Sequence, residues 1–265
     1  MKCSVEILIP FDAHSPGTST VFNTTLKEFH HDDAETMLFN AVDTPLLRGD
    51  KPWCGFVHLD IPSLFWNFFL TSYRKHKNTC VHLFTMSPHL TEYLSRKTKV
   101  PVSTIYHPAD TTLAKWSIDN YEEHLISCGA HFRNKKQTKK CLQLFKGMAL
   151  GQKRSYRLSS QEYEQKMTSS LVFEYYTQCA GSSVLVECIA RQTPLVVNKT
   201  PATLAYLGKE YPLFFEISPE KIIKQAIDDK VLLTDTSNYL LSRHKIISKE
   251  SFIRDLSEHI TYASK

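Results

Sequence analysis

The sequence predicts an α/β protein made of two halves of similar architecture, and three observations carry that reading. Short apolar runs alternate with longer amphipathic ones, the pattern left by strands joined through crossover helices. That pattern pauses at "HPADTTLAKW" (107–116) and then restarts. The 265 residues, 42% of them hydrophobic and 22% charged, suffice for two cores rather than one. The division falls near 110–120, giving an N-terminal half over 1–112 and a C-terminal half over 113–265, whose last helices can pack back on the first half. A cleft between two such halves is the default place for a ligand.

In the N-terminal half, "VEILIPF" (5–11), "TMLFNAV" (36–42), "CGFVHLD" (54–60), "CVHLFTM" (80–86) and "VSTIYHP" (102–108) read as strands. Helical spacing marks "TSTVFNTTLKEFHH" (18–31) and "SPHLTEYLSRKT" (87–98). In the latter, Ser87 is placed to cap and Pro88 to take the first helical position. After the restart, "HLISCGAHF" (124–132) is strand-like and "RNKKQTKKCLQLFKGM" (133–148) reads as a basic helix. "SLVFEYY" (170–176), "LVVNK" (195–199) and "LFFEIS" (213–218) follow as strands, and the tail from Pro219 to Tyr262 as two or three helices. No Gly/Ser-rich linker, strong repeat or low-complexity segment interrupts the chain.

Composition narrows the function classes. A net charge of +5 fits an anionic ligand such as a nucleotide and is too small to argue for nucleic acid, even with "RNKKQTKK" (133–140). Seven cysteines, an odd count with no Cys-x-x-Cys pair, point to reduced thiols in the cytoplasm rather than a disulfide framework or a zinc site. "MKCSVEILIPFD" lacks the features of a signal peptide. The apolar stretch "IPSLFWNFFL" (61–70) is far short of the ~20 residues of a membrane span. Its default role is core packing, with Trp53 and Trp66 as sugar-stacking candidates where exposed. No Gly-x-Gly-x-x-Gly or P-loop supports a dehydrogenase or kinase. "FHHDDAE" (29–35) offers His30, His31, Asp32 and Asp33 as metal-ligand types. Neighbours in sequence point apart, however, and no second cluster is spaced to complete a site.

One carboxylate stands out. In "CAGSSVLVECIARQTPLVVNK" (179–199), Glu187 sits among residues that are small or apolar on nearly every side. Ser182 or Ser183 can cap a helix running through Arg191 and stopped by Gln192-Thr193-Pro194. At i,i+4 Glu187 can simply pair with Arg191. Facing a cleft, it can instead accept both hydroxyls of a ribose diol, because a carboxylate has two acceptor oxygens. Gly181, Ser182 and Ser183 then place backbone N–H groups and hydroxyls at a helix N-terminus, a ready diphosphate site about one turn away.

These residues carry a resemblance. "YEQKM" (163–167), "SLVFEYY", the block 180–199 and "LAYLGKEYPLFFE" (204–216) resemble the donor-binding half of GT-B glycosyltransferases of the type found in chloroviruses, large DNA viruses of algae. "KPWCGFVH" (51–58), "LFTMSPHLTEYLSRKTKVPVSTIYHP" (83–108) and "HFRNKK" (131–136) resemble the same branch, so the likeness spans about residues 50–217. The resemblance implies a GT-B fold: two Rossmann-like domains, the first for an acceptor and the second for a nucleotide-sugar donor. It implies UDP as the nucleotide, no cofactor, no obligatory metal, and Glu187 as the ribose ligand. Within this branch the chain resembles β-xylosyltransferases acting on a capsid-protein glycan, which implies UDP-xylose, inversion at the sugar carbon, and the host-cell cytoplasm. It departs from the family's Glu-x7-Glu pair, with Cys179 eight residues before Glu187, and from the usual Gly before Pro194, replaced by Gln192-Thr193. The first departure removes the sugar contacts of retaining enzymes.

Arg133 and Lys136 are the residues of the basic stretch best placed to neutralise a donor diphosphate, Arg133 first because it begins the helix. The alternative is a solvated helix face, since Lys135, Lys136, Lys139 and Lys140 cannot all point one way. An inverting transferase needs a base for the acceptor hydroxyl. Asp12 and His14, just after the first strand, and His58 and Asp60, at the end of the third, are the candidates, Asp12 leading; the alternative makes Asp12 and Asp60 turn or cap residues and His58 a satisfied core histidine. No Asp-x-Asp of the metal-dependent kind ends an apolar strand. The reading is a UDP-sugar glycosyltransferase with a glycan or glycoprotein acceptor; the alternative is a non-catalytic nucleotide-sugar-binding module.

Overall fold

The computed structural model describes residues 3–6, 19–30, 32, 36–39, 51–58, 73–128, 135–150, 158–177 and 181–262. Two parallel five-stranded sheets divide the chain between them. The first contains β1 (Cys3–Glu6), β2 (Thr36–Phe39), β3 (Trp53–Val57), β4 (Cys80–Thr85) and β5 (Val102–Thr104), ordered as they occur in sequence. Alternation along these strands feeds two cores. Leu38, Phe56 and Phe84 face α1 (Ser19–Lys27) through Phe22 and Leu26, whereas Phe39, Val57 and Leu83 face α2 (Pro88–Lys97) through Leu90 and Leu94. Ser87 occupies the N-cap of α2 with Pro88 at its first turn, but its hydroxyl makes no capping bond. The strand expected over 102–108 ends at Thr104; the Ile105 N–H still bonds the Thr85 carbonyl at 2.8 Å, but the His107 N–H goes to the Tyr206 hydroxyl, 3.2 Å away, and Pro108 has none to give.

The second sheet is built from β6 (His124–Ser127), β7 (Met148–Ala149), β8 (Ser170–Glu174), β9 (Leu195–Asn198) and β10 (Phe214–Phe215), in the order β10-β9-β8-β6-β7. The first two strands run outward from β6 in one direction and the later three in the other, so the order reverses between β6 and β8. Around it lie α3 (Lys135–Leu144), α4 (Ser160–Ser169), α5 (Ser183–Arg191), α6 (Pro201–Leu207), α7 (Pro219–Asp228) and α8 (Lys230–Leu241). α9 (Lys249–Tyr262) crosses back, packing Phe252, Leu256 and Ile260 against Phe22, Leu26 and Phe84 of the first half.

The basic helix expected to run to 148 ends at Leu144. Lys146 turns left-handed (φ 50°) and the Gly147 N–H bonds back to the Leu142 carbonyl, closing the helix before β7. A side chain at 147 would meet the Leu125 carbonyl at 2.5 Å, so only glycine makes this return. α4, β7 and α6 have no counterpart in the sequence reading. α4 carries a Ser159–Glu162 capping box, a start signal lying in plain sequence, but only Met167 and Ser169 are buried along it. Among the described residues no helix is long and apolar enough to cross a membrane.

Candidate functional site

In open α/β sheets a ligand crevice forms beyond the carboxyl ends of the strands, where the strand order reverses. Here that point lies between Ser127, which ends β6, and Glu174, which ends β8. Glu174 is fully buried, and its Oε1 accepts from the Cys128 N–H (2.8 Å) and the Ser127 hydroxyl (3.3 Å). The two strand ends are thereby tied across the reversal. Sequence reasoning missed Glu174, reading it only as part of an apolar strand. A carboxylate at a strand's carboxyl end was the available signal.

Asn198, at the end of β9, holds the next loop. Its amide donates to the Tyr176 carbonyl and accepts from the Tyr176 N–H, both at 2.8 Å. The Tyr176 hydroxyl in turn donates to Ser182 Oγ at 2.9 Å. Ser182 is the N-cap of α5 by backbone position, and its side chain serves Tyr176 rather than the helix's own N–H groups. Ser182 and Ser183 are half-buried. Gly181 lies tightly between the halves: a Cβ there would stand 2.9 Å from Met86 Cβ, just past β4, and 3.0 Å from the Tyr206 hydroxyl. The α5 N-terminus therefore abuts the strand ends of the first sheet.

Glu187, one turn deeper, is wholly buried, and each carboxylate oxygen has a donor within the chain. Arg191 Nε reaches Oε1 at 3.0 Å and the Tyr163 hydroxyl reaches Oε2 at 3.0 Å. The i,i+4 pair is thus the arrangement this conformation realises. Arg191, 2% exposed, also donates to Glu164 Oε1 (3.1 Å) and the Ala114 carbonyl (3.4 Å). Burial, reinforced by the Cys128 and Cys188 thiols and Glu187, pushes the Tyr163 phenol well above its ordinary value, so it remains a donor.

On the facing side, His58 follows β3 and His107 follows β5. Both rings rest on Phe22, with centroids 5.6 and 4.9 Å away. His107 Nδ1 lies 2.9 Å from the Pro108 carbonyl, which can only accept, so Nδ1 carries the proton and Nε2 is left as an acceptor. Burial, opposed by that bond and helped by His58, pulls the imidazole down to about 4. His107 is neutral at neutral pH and was not singled out from the sequence, where "HP" read as a strand end.

Of the site residues named from sequence, the structure places Gly181, Ser182 and Ser183 at the start of α5, Glu187 one turn deeper along it, and His58 against Phe22 in the first half. Lys136 is exposed on α3, on the helical face shared with Lys140, which pairs with Glu220 at 2.6 Å. Asp12, His14, Asp60 and Arg133 lie outside the described residues, as do Cys179 and Trp66. Trp53 is buried, with its indole N–H bonded to the His76 carbonyl, and is core rather than a sugar platform. His30 and Asp32 bond each other at 2.9 Å on the surface. Among the described residues no three His, Cys, Asp or Glu side chains cluster to hold a metal.

Neither a family model nor a curated protein sequence matches the chain. Solved structures do. The pneumococcal O-GlcNAc transferase GtfA in complex with UDP and GlcNAc aligns at a TM-score of 0.60 and 12% identity, over 93% of this chain and 60% of that one. Anabaena Alr3699/HepE in complex with UDP and glucose gives 0.67 and 14%, over 92% and 80%. WaaG, a glycosyltransferase involved in lipopolysaccharide biosynthesis, gives 0.60 and 11%, over 90% and 80%. The chain spans about three fifths of the length of GtfA. At these identities the likeness shows the fold, which is GT-B, with two Rossmann-like domains.

Proposed function

We propose that the protein is a glycosyltransferase that moves a sugar from a UDP-sugar to a glycan acceptor. The observation that carries this reading is the close approach of Gly181, at the α5 N-terminus, to Met86, just past β4 of the other sheet. In this reading the backbone N–H groups at that N-terminus serve a diphosphate leaving group, and the acceptor approaches from the first half. In this reading Gly181, Ser182 and Ser183 hold the diphosphate while Arg133 and Lys136 neutralise it, with no metal needed. Glu187 takes the ribose diol, the Tyr163 hydroxyl giving way as a ribose hydroxyl arrives at Oε2. The base comes from Asp12, His14, His58 and Asp60, with Asp12 first and His58 the member among the described residues. The UDP complexes of GtfA and HepE support UDP as the nucleotide. The resemblance to chlorovirus enzymes supports xylose, inversion, and a capsid-protein glycan made in the host-cell cytoplasm.

A thermal-shift screen of nucleotide sugars tests this, since a ligand bound only by the native state raises Tm. One UDP-sugar is expected to stabilise the protein equally with and without EDTA. Glu187→Gln is expected to weaken UDP binding about tenfold, or ~1.4 kcal/mol, for a lost charge-assisted contact. Tyr163→Phe should leave UDP affinity unchanged or improved. Unaltered UDP affinity in folded Glu187→Gln would remove Glu187 from the site. Cys179, standing where the family's first Glu would be, favours a second reading, a non-catalytic nucleotide-sugar-binding module. Binding of a UDP-sugar without hydrolysis or transfer to any glycan acceptor would select it.

A further inference from the structure

A cavity of about 590 Å³ lies between α3 and β7, lined among the described residues by Lys135, Thr138, Lys139, Leu142, Gly147 and Lys146 with their neighbours Gln143 and Ala149. Its helical lining recurs at 135, 138–139 and 142–143, one continuous stripe, which the left-handed turn at Lys146 extends past the helix end. Lys139 and Lys146 are exposed and have no carboxylate partner among the described residues, whereas Lys140, on another face of α3, is matched by Glu220. Thr138 is only 5% exposed, and its hydroxyl has no hydrogen-bond partner among the described residues. A buried hydroxyl left unbonded costs stability, and a ligand oxygen at the cavity would relieve it.

We propose that this groove binds a phosphate-bearing small molecule at a site separate from the α5 crevice. Lysine ammonium groups on flexible stems act as point charges suited to a multiply charged phosphate, while planar bidentate recognition of carboxylates calls on arginine. The Leu142 side chain and Gly147 form an apolar floor that accommodates the carbon skeleton. Leu144 and Met148, 58% and 45% exposed, are absent from the lining, so the cavity lacks the apolar rim that would seat it on a lipid surface. The volume is that of an ordinary small-ligand site. The inference stands apart from the glycosyltransferase reading.

The test is calorimetric titration of the full chain with inorganic pyrophosphate at matched ionic strength, with and without saturating UDP. Binding is expected to persist under UDP and to fall at least about tenfold in the Lys139→Glu/Lys146→Glu protein, as for the loss of two charge-assisted contacts. It should be unchanged in the charge-matched Lys221→Glu/Lys245→Glu protein. Thr138→Val, which removes the hydroxyl at constant shape, should weaken binding while preserving the fold. Equal affinity in both double variants, or loss of all binding when UDP is present, overturns the proposal. So does sedimentation with phosphatidic acid vesicles in the absence of pyrophosphate binding. If UDP itself does not bind, the donor reading fails while the double variants still decide this one.

Discussion

The first sheet, beyond β3 and β5, ends in imidazoles packed on an aromatic ring; the second, beyond β6 and β8, ends in a buried carboxylate and a helix N-terminus. Strand order accounts for much of the contrast. In the first sheet the described strands follow sequence order, with no reversal among them. In the second the order reverses beside β6, the topology at which open α/β sheets place a ligand. The lesson is a division of labour. A helix N-terminus and a loop held by Asn198 stand on one side, and imidazoles packed on Phe22, with His107 kept neutral by burial, on the other.

The sharpest way to break this contrast is to remove the cation beneath the second sheet. Glu174 is held by backbone and hydroxyl donors, but Glu187 depends on Arg191, and both members of that pair are almost wholly enclosed. Arg191→Met keeps the volume and leaves the Glu187 carboxylate without its partner. The expected loss is about 3–5 kcal/mol, as for other broken buried pairs, measured by urea denaturation. A loss below 1 kcal/mol would mean the pair is not buried in solution.

On the first sheet the corresponding weakness is acid. His107 and His82 are both pulled down to about 4, chiefly by burial, with His58 and His259 respectively adding to the shift. A histidine whose folded value lies below its unfolded one binds more protons when unfolded. Its stabilising contribution is complete above the unfolded value and is lost as pH falls from about 6.5 towards 4. The loss from His107 is on the order of 3 kcal/mol over that window. His107→Asn should flatten the slope of stability against pH there. An unchanged slope would place the proton uptake elsewhere.

Contact between the halves is broken most locally at Gly181. Gly181→Ala forces a methyl against Met86 Cβ and the Tyr206 hydroxyl, neither of which is the free end of a flexible chain. Overpacking of this kind costs about 1–3 kcal/mol. Met86→Gly in the same protein should recover part of it, and a double-mutant cycle reads the coupling. Additive effects would argue that the halves do not touch at this point.

Much of this arrangement was legible from periodicity. β4, α2, α5 and β9 lie within a residue or two of where apolar spacing puts them, because each buries a face that the pattern displays. The Glu187–Arg191 pair was equally visible, since i,i+4 neighbours meet on any helix. What pattern could not show was contact at long range. Tyr163 reaches Glu187 across 24 residues, and Tyr206 reaches His107 across 99. α4 escaped notice because its exposed face outweighs its two buried residues, and β7 because two residues make no pattern. Glu174 escaped because a strand buried from end to end gives no alternation against which an acid stands out.

The smallest effect concerns how α5 stops. Gln192 is left-handed, with φ 59°, and the Thr193 N–H bonds to the Cys188 carbonyl at 2.9 Å, closing the helix as Gly147 closes α3. The position demands a backbone shape that suits glycine, since a Cβ there crowds the chain. Gln192→Gly removes that crowding but adds freedom to the unfolded chain, and the two effects oppose each other. In a left-handed cap the first dominates, so a net gain of roughly 0.5–1 kcal/mol is expected in urea denaturation. UDP binding should not change, because Gln192 lies at the opposite end of α5 from Gly181. A stabilised protein with altered UDP affinity would mean that the helix's far end governs its N-terminus, and the division between scaffold and crevice would have to be redrawn.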